Sequence, residues 1–93
     1  MRSIEVEVRN ESGLHARPAA AFVRAATEFA ATIRLENVTL GRPSADAKSI
    51  FGVLACGVEN SHVVRVIADG TDEGPAVESL RDLLTGLDEP VGA

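Results

Sequence analysis

Hydrophobic and polar residues alternate at 3–9 and again at 31–36, and a period of two is typical of strands with one buried face. A run rich in Val and Ile at 62–68 predicts a further strand. A short strand is expected near 40–45, where Pro43 favours an edge position because proline cannot donate a ladder hydrogen bond. The pattern therefore predicts four strands.

A different spacing follows the first strand. Apolar residues recur there every three or four positions, which places them on one side of a helix that begins at about His15 or Ala16. Pro18 fits the first turn of this helix, and Gly13 is available for the backbone turn before it. The stripe consists of Ala19, Phe22, Val23, Ala26 and Phe29 or Ala30.

Two more helices are indicated further along the chain. A brief helix lies between a Ser49 cap and a stop at Gly57. The last helix begins within 69–75, which supplies turn residues, acidic residues for a helix start and a proline tolerated in the first turn, and it ends near Gly86. Its apolar stripe is Val77, Leu80, Leu83, Leu84 and Leu87.

The predicted order is βαββαβα. Because the strands have one polar face, the three helices should lie together on the apolar face of a four-stranded, mainly antiparallel sheet. The expected class is α+β, an open-faced β-sandwich. A single domain over residues 1–93 is expected, with 88–93 as a frayed tail.

Composition and net charge disfavour several classes of function. The chain has 93 residues, 45% of them hydrophobic, which suffices for one modest core. No apolar run approaches the roughly 20 residues of a membrane span, and the first residues do not resemble a secretory signal, so a cytoplasmic monomer without membrane contact is expected. With 9 basic against 14 acidic residues, a net charge of −5 and three aromatic residues, nucleic-acid binding is disfavoured.

The sequence offers no residue cluster typical of a metal site or of a hydrolase active site. His15, Cys56 and His62 are scattered singles, so no metal and no cofactor is expected. Cys56 is interpreted as a small buried hydrophobe and His62 as a surface residue where a strand begins. No serine, histidine and acid arrangement is readable, and a hydrolase is unsupported.

The start of the first helix carries the candidate chemistry. Unpaired backbone N–H groups and positive partial charge at a helix N-terminus suit an anion such as phosphate, which makes His15 a candidate phosphate acceptor. Ala16, Arg17 and Pro18 are the expected phosphate-binding positions. Arg24 lies seven residues after Arg17, so both can present to one side as a small positive patch for a phosphoryl group or an acidic partner. Two ordinary solvated arginines remain the alternative, above all for Arg24.

Three blocks of residues resemble the HPr family, the histidine-containing phosphocarriers of the bacterial phosphoenolpyruvate-dependent sugar phosphotransferase system. They occur in the order of that family and span nearly the whole chain. The blocks are Gly13-Leu14-His15-Ala16-Arg17-Pro18-Ala19-Ala20, Ala47-Lys48-Ser49-Ile50-Phe51-Gly52-Val53, and Gly70-Thr71-Asp72-Glu73 with Ala76.

The resemblance implies that His15 is phosphorylated on Nδ1 by phosphorylated enzyme I and passes the group to the A component of a sugar permease. His15 and Arg17 are then the catalytic residues of a phosphoryl-transfer intermediate, not of a stand-alone enzyme. The helix start and Arg17 both disfavour a positive ring, which keeps the imidazole neutral and nucleophilic.

The serine block implies a docking surface and, in some lineages, a regulatory phosphorylation site at Ser49. Ile50, Phe51 and Leu54 correspond to the family's apolar docking residues, and Arg24 is a further candidate for partner docking. Because so short a helix shows one face to solvent, Phe51 and one neighbour are expected to be exposed, and the alternative is that these residues are only core.

Rival functions keep the same fold. One is a regulatory adaptor switched at Ser49 by a serine kinase or phosphorylase and acting on a transcription regulator. Another is a carrier of the nitrogen-related branch, or one feeding a dihydroxyacetone kinase, in which only the partners differ. One departure from the family concerns the segment before Ser49, which is longer than expected and predicts an enlarged loop over 38–43.

Overall fold

Seven helices and strands follow one another in the predicted order. The computed structural model describes residues 1–9, 13, 14 and 16–86, without the side chain of Ala16. The elements are β1 Arg2–Glu7, α1 Ala16–Thr27, β2 Thr32–Asn37, β3 Ala45–Asp46, α2 Ile50–Ala55, β4 Val63–Asp69 and α3 Glu73–Gly86. Their boundaries differ from the predicted ones by three residues or fewer, except at β3.

The strands form one antiparallel sheet in the order β1-β4-β2-β3. One face carries the apolar residues of the two central strands, Ile33, Leu35, Val64, Val66 and Ala68, all of them buried. On the other face, Arg65 of β4 binds Glu5 of β1 and Glu36 of β2, which its register places on either side. The sheet therefore has the one polar face that the alternation predicts.

The helices cover the apolar face of the sheet and confirm the open-faced sandwich. α3 packs on β1 and β4, α1 packs on α3, and α2 lies against α1 and β3. The stripe of α1 buries Ala19, Phe22 and Ala26, as predicted. Phe29 and Ala30 follow the end of α1, while Leu87 and the tail 88–93 lie outside the described residues.

The third strand was expected near 40–45 and is instead the two-residue pair Ala45–Asp46. Leu35 and Arg34 pair with these residues, and β3 lies at the sheet edge as predicted. The Arg34 side chain donates to Ser44 Oγ at 3.0 Å and to Ser44 O at 2.8 Å. The Ser44 carbonyl, directly before β3, therefore already accepts a hydrogen bond from a side chain. Pro43 supplies no N–H, and the strand can begin only after it.

His62 directly precedes β4, as predicted, but is half-buried instead of fully exposed at the surface. Its Nδ1 accepts a hydrogen bond from the Glu59 N–H at 3.1 Å, and the same atom lies 3.2 Å from Asn37 Nδ2. Asn37 is fully buried and also donates to Cys56 O at 3.0 Å. Cys56 is buried as predicted, and burial raises the pKa of its thiol, which keeps the sulfur protonated.

No helix in the described part of the chain has the length and apolar character required to cross a membrane.

Candidate functional site

The approach to α1 is held by a backbone contact with the segment after α2. Leu14 is fully buried, and its N–H donates to Val58 O at 3.0 Å. Gly13 has a φ of +61°, and a Cβ there would lie 2.1 Å from the same Val58 oxygen. His15 itself lies outside the described residues. It is flanked in the sequence by Leu14, which is anchored, and by Ala16, the first residue of α1.

Charge at the start of α1 favours an anion. The first turn of α1 contains no acidic residue, so no side-chain carboxylate of that turn offsets the positive partial charge there. Arg17 in the same turn is exposed, although a cation at a helix N-terminus is unfavourable by about 0.3–1 kcal/mol. Helix stability therefore does not explain Arg17, whereas a bound anion would.

Arg24 is different, because it lies in the last turn of α1, where the carbonyl ends favour a cation. It is exposed, and its seven-residue separation from Arg17 places the two about 10 Å apart along one helix face. Neither arginine forms an ion pair with any of the described residues. Both arginines remain available to an external acidic group. For Arg24, the favourable interaction with the carbonyl end of α1 is a second explanation of its position.

Ser49 begins α2 in the way that the sequence predicts. Its backbone is extended, at φ −112° and ψ 120°, and its Oγ accepts a hydrogen bond from the Gly52 N–H at 3.2 Å. Its carbonyl accepts from the Val53 N–H at 2.9 Å. Ser49 is half-buried, so the residue that caps α2 is partly exposed to solvent.

The apolar residues of α2 divide into exposed and packed ones. Phe51 is 82% exposed and Leu54 is 37% exposed, and we call this pair the α2 patch. This confirms that Phe51 and one neighbour face solvent. Ile50 is half-buried and packs on the core. An exposed phenylalanine gains nothing from the fold of its own chain, which indicates a contact surface.

Two side chains that the sequence analysis missed hold the end of α1. Lys48 Nζ, just before the Ser49 cap, donates to Phe29 O at 2.7 Å. The Asp72 carboxylate accepts from the Ala30 N–H at 2.7 Å and from the Ala31 N–H at 2.9 Å. The hydrogen bond from Ala30, then that from Ala31, and the nearby Lys48 hold the pKa of Asp72 below its usual range. The position of Asp72 before α3 signals a cap, but no local pattern reveals partners 41 and 42 residues away.

Within residues 1–9, 13, 14 and 16–86, no three His, Cys, Asp or Glu side chains come together in a way that could hold a metal ion.

Fold and site together define a class: a small open-faced β-sandwich in which one helix begins directly after a histidine of the sequence and a second, short helix exposes the α2 patch. The sequence profile of the family described as "PTS HPr component phosphorylation site" matches residues 2–86. The chain therefore belongs to the HPr family, the phosphocarriers of the phosphotransferase system.

Similar proteins agree with this assignment. The phosphocarrier protein HPr of Haemophilus influenzae is 41% identical over 88 residues, covering 95% of this chain and 100% of that protein. The multiphosphoryl transfer protein of the same organism is 40% identical over 87 residues, or 92% of this chain, and the match spans only 17% of that longer protein.

Solved structures give the same result. The crystal structure of HPr-C-His from Thermoanaerobacter tengcongensis has a TM-score of 0.85 and 40% identity, and covers 90% of this chain and 91% of that one. Another structure from that organism, described as an HPr dimer, has a TM-score of 0.68 and 41% identity, with 89% and 92% of the two chains covered. The monomeric state expected from the sequence stays a prediction.

Proposed function

We propose that this phosphocarrier takes up a phosphoryl group on His15 from phosphorylated enzyme I and passes it to the A component of a sugar permease. The observation that carries the proposal is the start of α1 at Ala16, directly after His15, with an exposed Arg17 and no acid in the first turn. A cation in this otherwise unfavourable place is explained by an anion that arrives there.

The chemistry needs only a neutral ring and fixed charges. The Nδ1 lone pair of His15 attacks phosphorus as the bond between phosphorus and the donor breaks. In the second transfer a nucleophile of the acceptor attacks phosphorus, the bond between phosphorus and Nδ1 breaks, and the neutral ring is restored. The helix start and Arg17 disfavour an imidazolium, so the ring stays nucleophilic, and the same groups then stabilise the phosphoryl dianion. Phosphoryl transfer depends mainly on positioning and charge stabilisation, which the partner proteins complete.

The test is phosphorylation from phosphoenolpyruvate with purified enzyme I. Wild type and Ser49→Ala should both acquire a phosphate that is lost in acid and survives base, as phosphohistidine does, and His15→Ala should acquire none. A label that persists in His15→Ala would contradict the proposal.

Docking is assigned to the α2 patch together with Arg24 and the half-buried Ile50. Exposed aromatic and arginine side chains are both enriched at protein interfaces, and Arg24 lies on α1, which packs against α2. We expect enzyme I and the permease component to use this surface in turn, because each must bring its own reacting group to His15.

Regulation at Ser49 is the second candidate function, and the half-buried cap supports it. A phosphate there would place negative charge next to the α2 patch and weaken partner binding by repulsion and desolvation. A serine kinase with ATP should then add an acid-stable phosphate that is absent in Ser49→Ala. If this is the only label that the wild-type chain can acquire, the regulatory adaptor is the correct function. Carriers of the nitrogen-related branch or of a dihydroxyacetone kinase system share the His15 chemistry, and assays with each donor and acceptor separate them.

A further inference from the structure

We propose that the loop over residues 38–44 extends the docking surface, and that Leu40 in this loop contacts the phosphoryl donor beside the α2 patch. The inference rests on the proposed function and adds to it a residue that determines which donor fits. The donor is the partner considered because every loading event requires it, whichever permease is served.

The 38–44 loop is folded onto the sheet by its first residues. The Val38 N–H donates to Val63 O at 2.9 Å, and the Val63 N–H donates to Thr39 Oγ1 at 2.7 Å. The Leu40 N–H donates to Oδ1 of the buried Asn37 at 3.1 Å. Leu40 is therefore presented by an ordered backbone, and a partner that contacts it has little ordering entropy to overcome.

The other end of the loop is attached to α2. Arg42 Nη1 donates to Ala55 O, in the last residue of α2, at 3.0 Å. Leu40 Cδ1 lies 3.6 Å from the position that a Cβ on Gly57 would take, just beyond the end of α2. Pro43, Ser44 and Ala45 then line a cleft whose other wall is Gly52, Ala55 and Cys56. The loop thus borders the same short helix that carries the α2 patch.

Exposed apolar residues are concentrated in this region. In the part of the chain that the structure describes, the large hydrophobic side chains exposed to solvent are Met1, Leu40, Phe51 and Leu54. Leu40 is 45% exposed, although it belongs to a loop that is otherwise well hydrogen-bonded. Three of these four side chains therefore lie on α2 or on the loop attached to it, and on that ground we extend the α2 patch to Leu40.

Charge around this surface indicates the chemistry of the partner. Arg42 is exposed, binds a carbonyl at the end of α2 and forms no ion pair with a described residue. Arg17 and Arg24 are exposed on α1, which packs against α2, so all three arginines supply positive charge near α2 in a chain whose net charge is −5. The matching partner face has an apolar centre and carboxylates at its rim.

Leu40 is a cleaner probe than Arg42, because Arg42 also satisfies a carbonyl at the end of α2. Burying the exposed part of a leucine against a partner corresponds to an affinity change of about fivefold. Leu40→Ser should therefore raise the KM of enzyme I for this chain by about that factor and leave kcat unchanged, since the role proposed for Leu40 is in binding alone.

The experiment measures initial rates of phosphorylation from phosphoenolpyruvate by the cognate enzyme I at varied concentrations of the full chain. Four variants are compared with wild type: Leu40→Ser, Leu40→Met, Phe51→Ser and, on the remote helix α3, Arg81→Ala. Leu40→Met should keep the wild-type KM, because its side chain is equally apolar, and Arg81→Ala should keep it because of its position. Thermal unfolding of each variant confirms that it is folded at the assay temperature.

The outcomes separate the inference from the function on which it rests. A raised KM in Phe51→Ser with a wild-type KM in Leu40→Ser overturns the role of the loop and leaves the carrier function intact. A KM raised equally in Leu40→Met overturns it too, since the loss would then not follow the apolar surface. If wild type takes no phosphoryl group from enzyme I at all, the proposed function itself is wrong.

Discussion

Gly13 and Gly41 form a matched pair that measures how firmly the approach to α1 is held. Both have a positive φ, +61° and +67°. A Cβ on Gly41 would meet nothing within 4 Å, whereas a Cβ on Gly13 would lie 2.1 Å from Val58 O and 2.8 Å from Glu59 Cα. Alanine at either position incurs the same conformational cost, and only Gly13→Ala adds a collision with backbone.

The two costs can be worked out separately. A left-handed alanine costs about 1–2 kcal/mol, and the stiffer unfolded chain offsets about 0.4–1 kcal/mol of this, which leaves about 1 kcal/mol for Gly41→Ala. At Gly13 the chain must also move away from Val58, which breaks the 3.0 Å hydrogen bond of the buried Leu14 N–H. An unsatisfied buried donor costs about 1–3 kcal/mol, so Gly13→Ala should lose about 3 kcal/mol in total.

Thermal unfolding followed by circular dichroism tests this difference. For a domain of this size, 1 kcal/mol corresponds to about 4–8 °C in Tm. The Tm should therefore be lower by about 5 °C in Gly41→Ala and by about 15 °C in Gly13→Ala. Gly13→Ala should also accept phosphoryl groups at least about tenfold more slowly while still folded, because the residue before His15 is displaced. Equal losses of Tm in the two variants would refute the contact between Gly13 and Val58.

Other variants test the remaining parts of the account. Arg17→Ala should have a wild-type or slightly higher Tm, because the substitution removes a cation from the positive end of α1. It should nevertheless transfer phosphoryl groups about tenfold to a hundredfold more slowly. A wild-type transfer rate would remove Arg17 from the mechanism. Asp72→Asn should unfold at lower urea than wild type at neutral pH. The pKa of Asp72 is lowered in the folded state, so the stabilisation that its carboxylate provides is complete above the ordinary pKa of 3.8 and is lost as the pH falls through the folded value. The stability difference between wild type and Asp72→Asn should therefore close in acid, and a difference independent of pH would contradict this. Asn37→Ala leaves Cys56 O and the Leu40 N–H without their partner and should cost about 2–3 kcal/mol by urea unfolding, whereas a loss below about 0.5 kcal/mol would show that the amide network is dispensable.

Much of the fold could be predicted because its signals are local. The alternation at 3–9 and 31–36 and the stripe of α1 identify faces that become buried wherever the elements finally pack. Ser49 is equally readable, since a cap needs only the next three residues. The exposure of Phe51 also follows from local reasoning, because a six-residue helix cannot bury all its sides.

What the sequence could not predict depends on contacts between distant residues. His62 is half-buried in contact with Asn37, which lies 25 residues away, and β3 begins directly after Ser44, to which the Arg34 side chain is bound. The partners of Asp72 and the attachment of Arg42 to Ala55 are likewise set by packing. No spacing rule reports such contacts, because they exist only after the helices have been placed on the sheet.

The most direct test of the central claim follows one phosphoryl group through the chain. Label from phosphoenolpyruvate, delivered by enzyme I, should be found on His15 by mass spectrometry under non-acidic conditions. It should leave the chain when an unphosphorylated A component of a permease is added. Label found on another residue, or label that stays on the chain in the presence of every acceptor tested, would contradict the account.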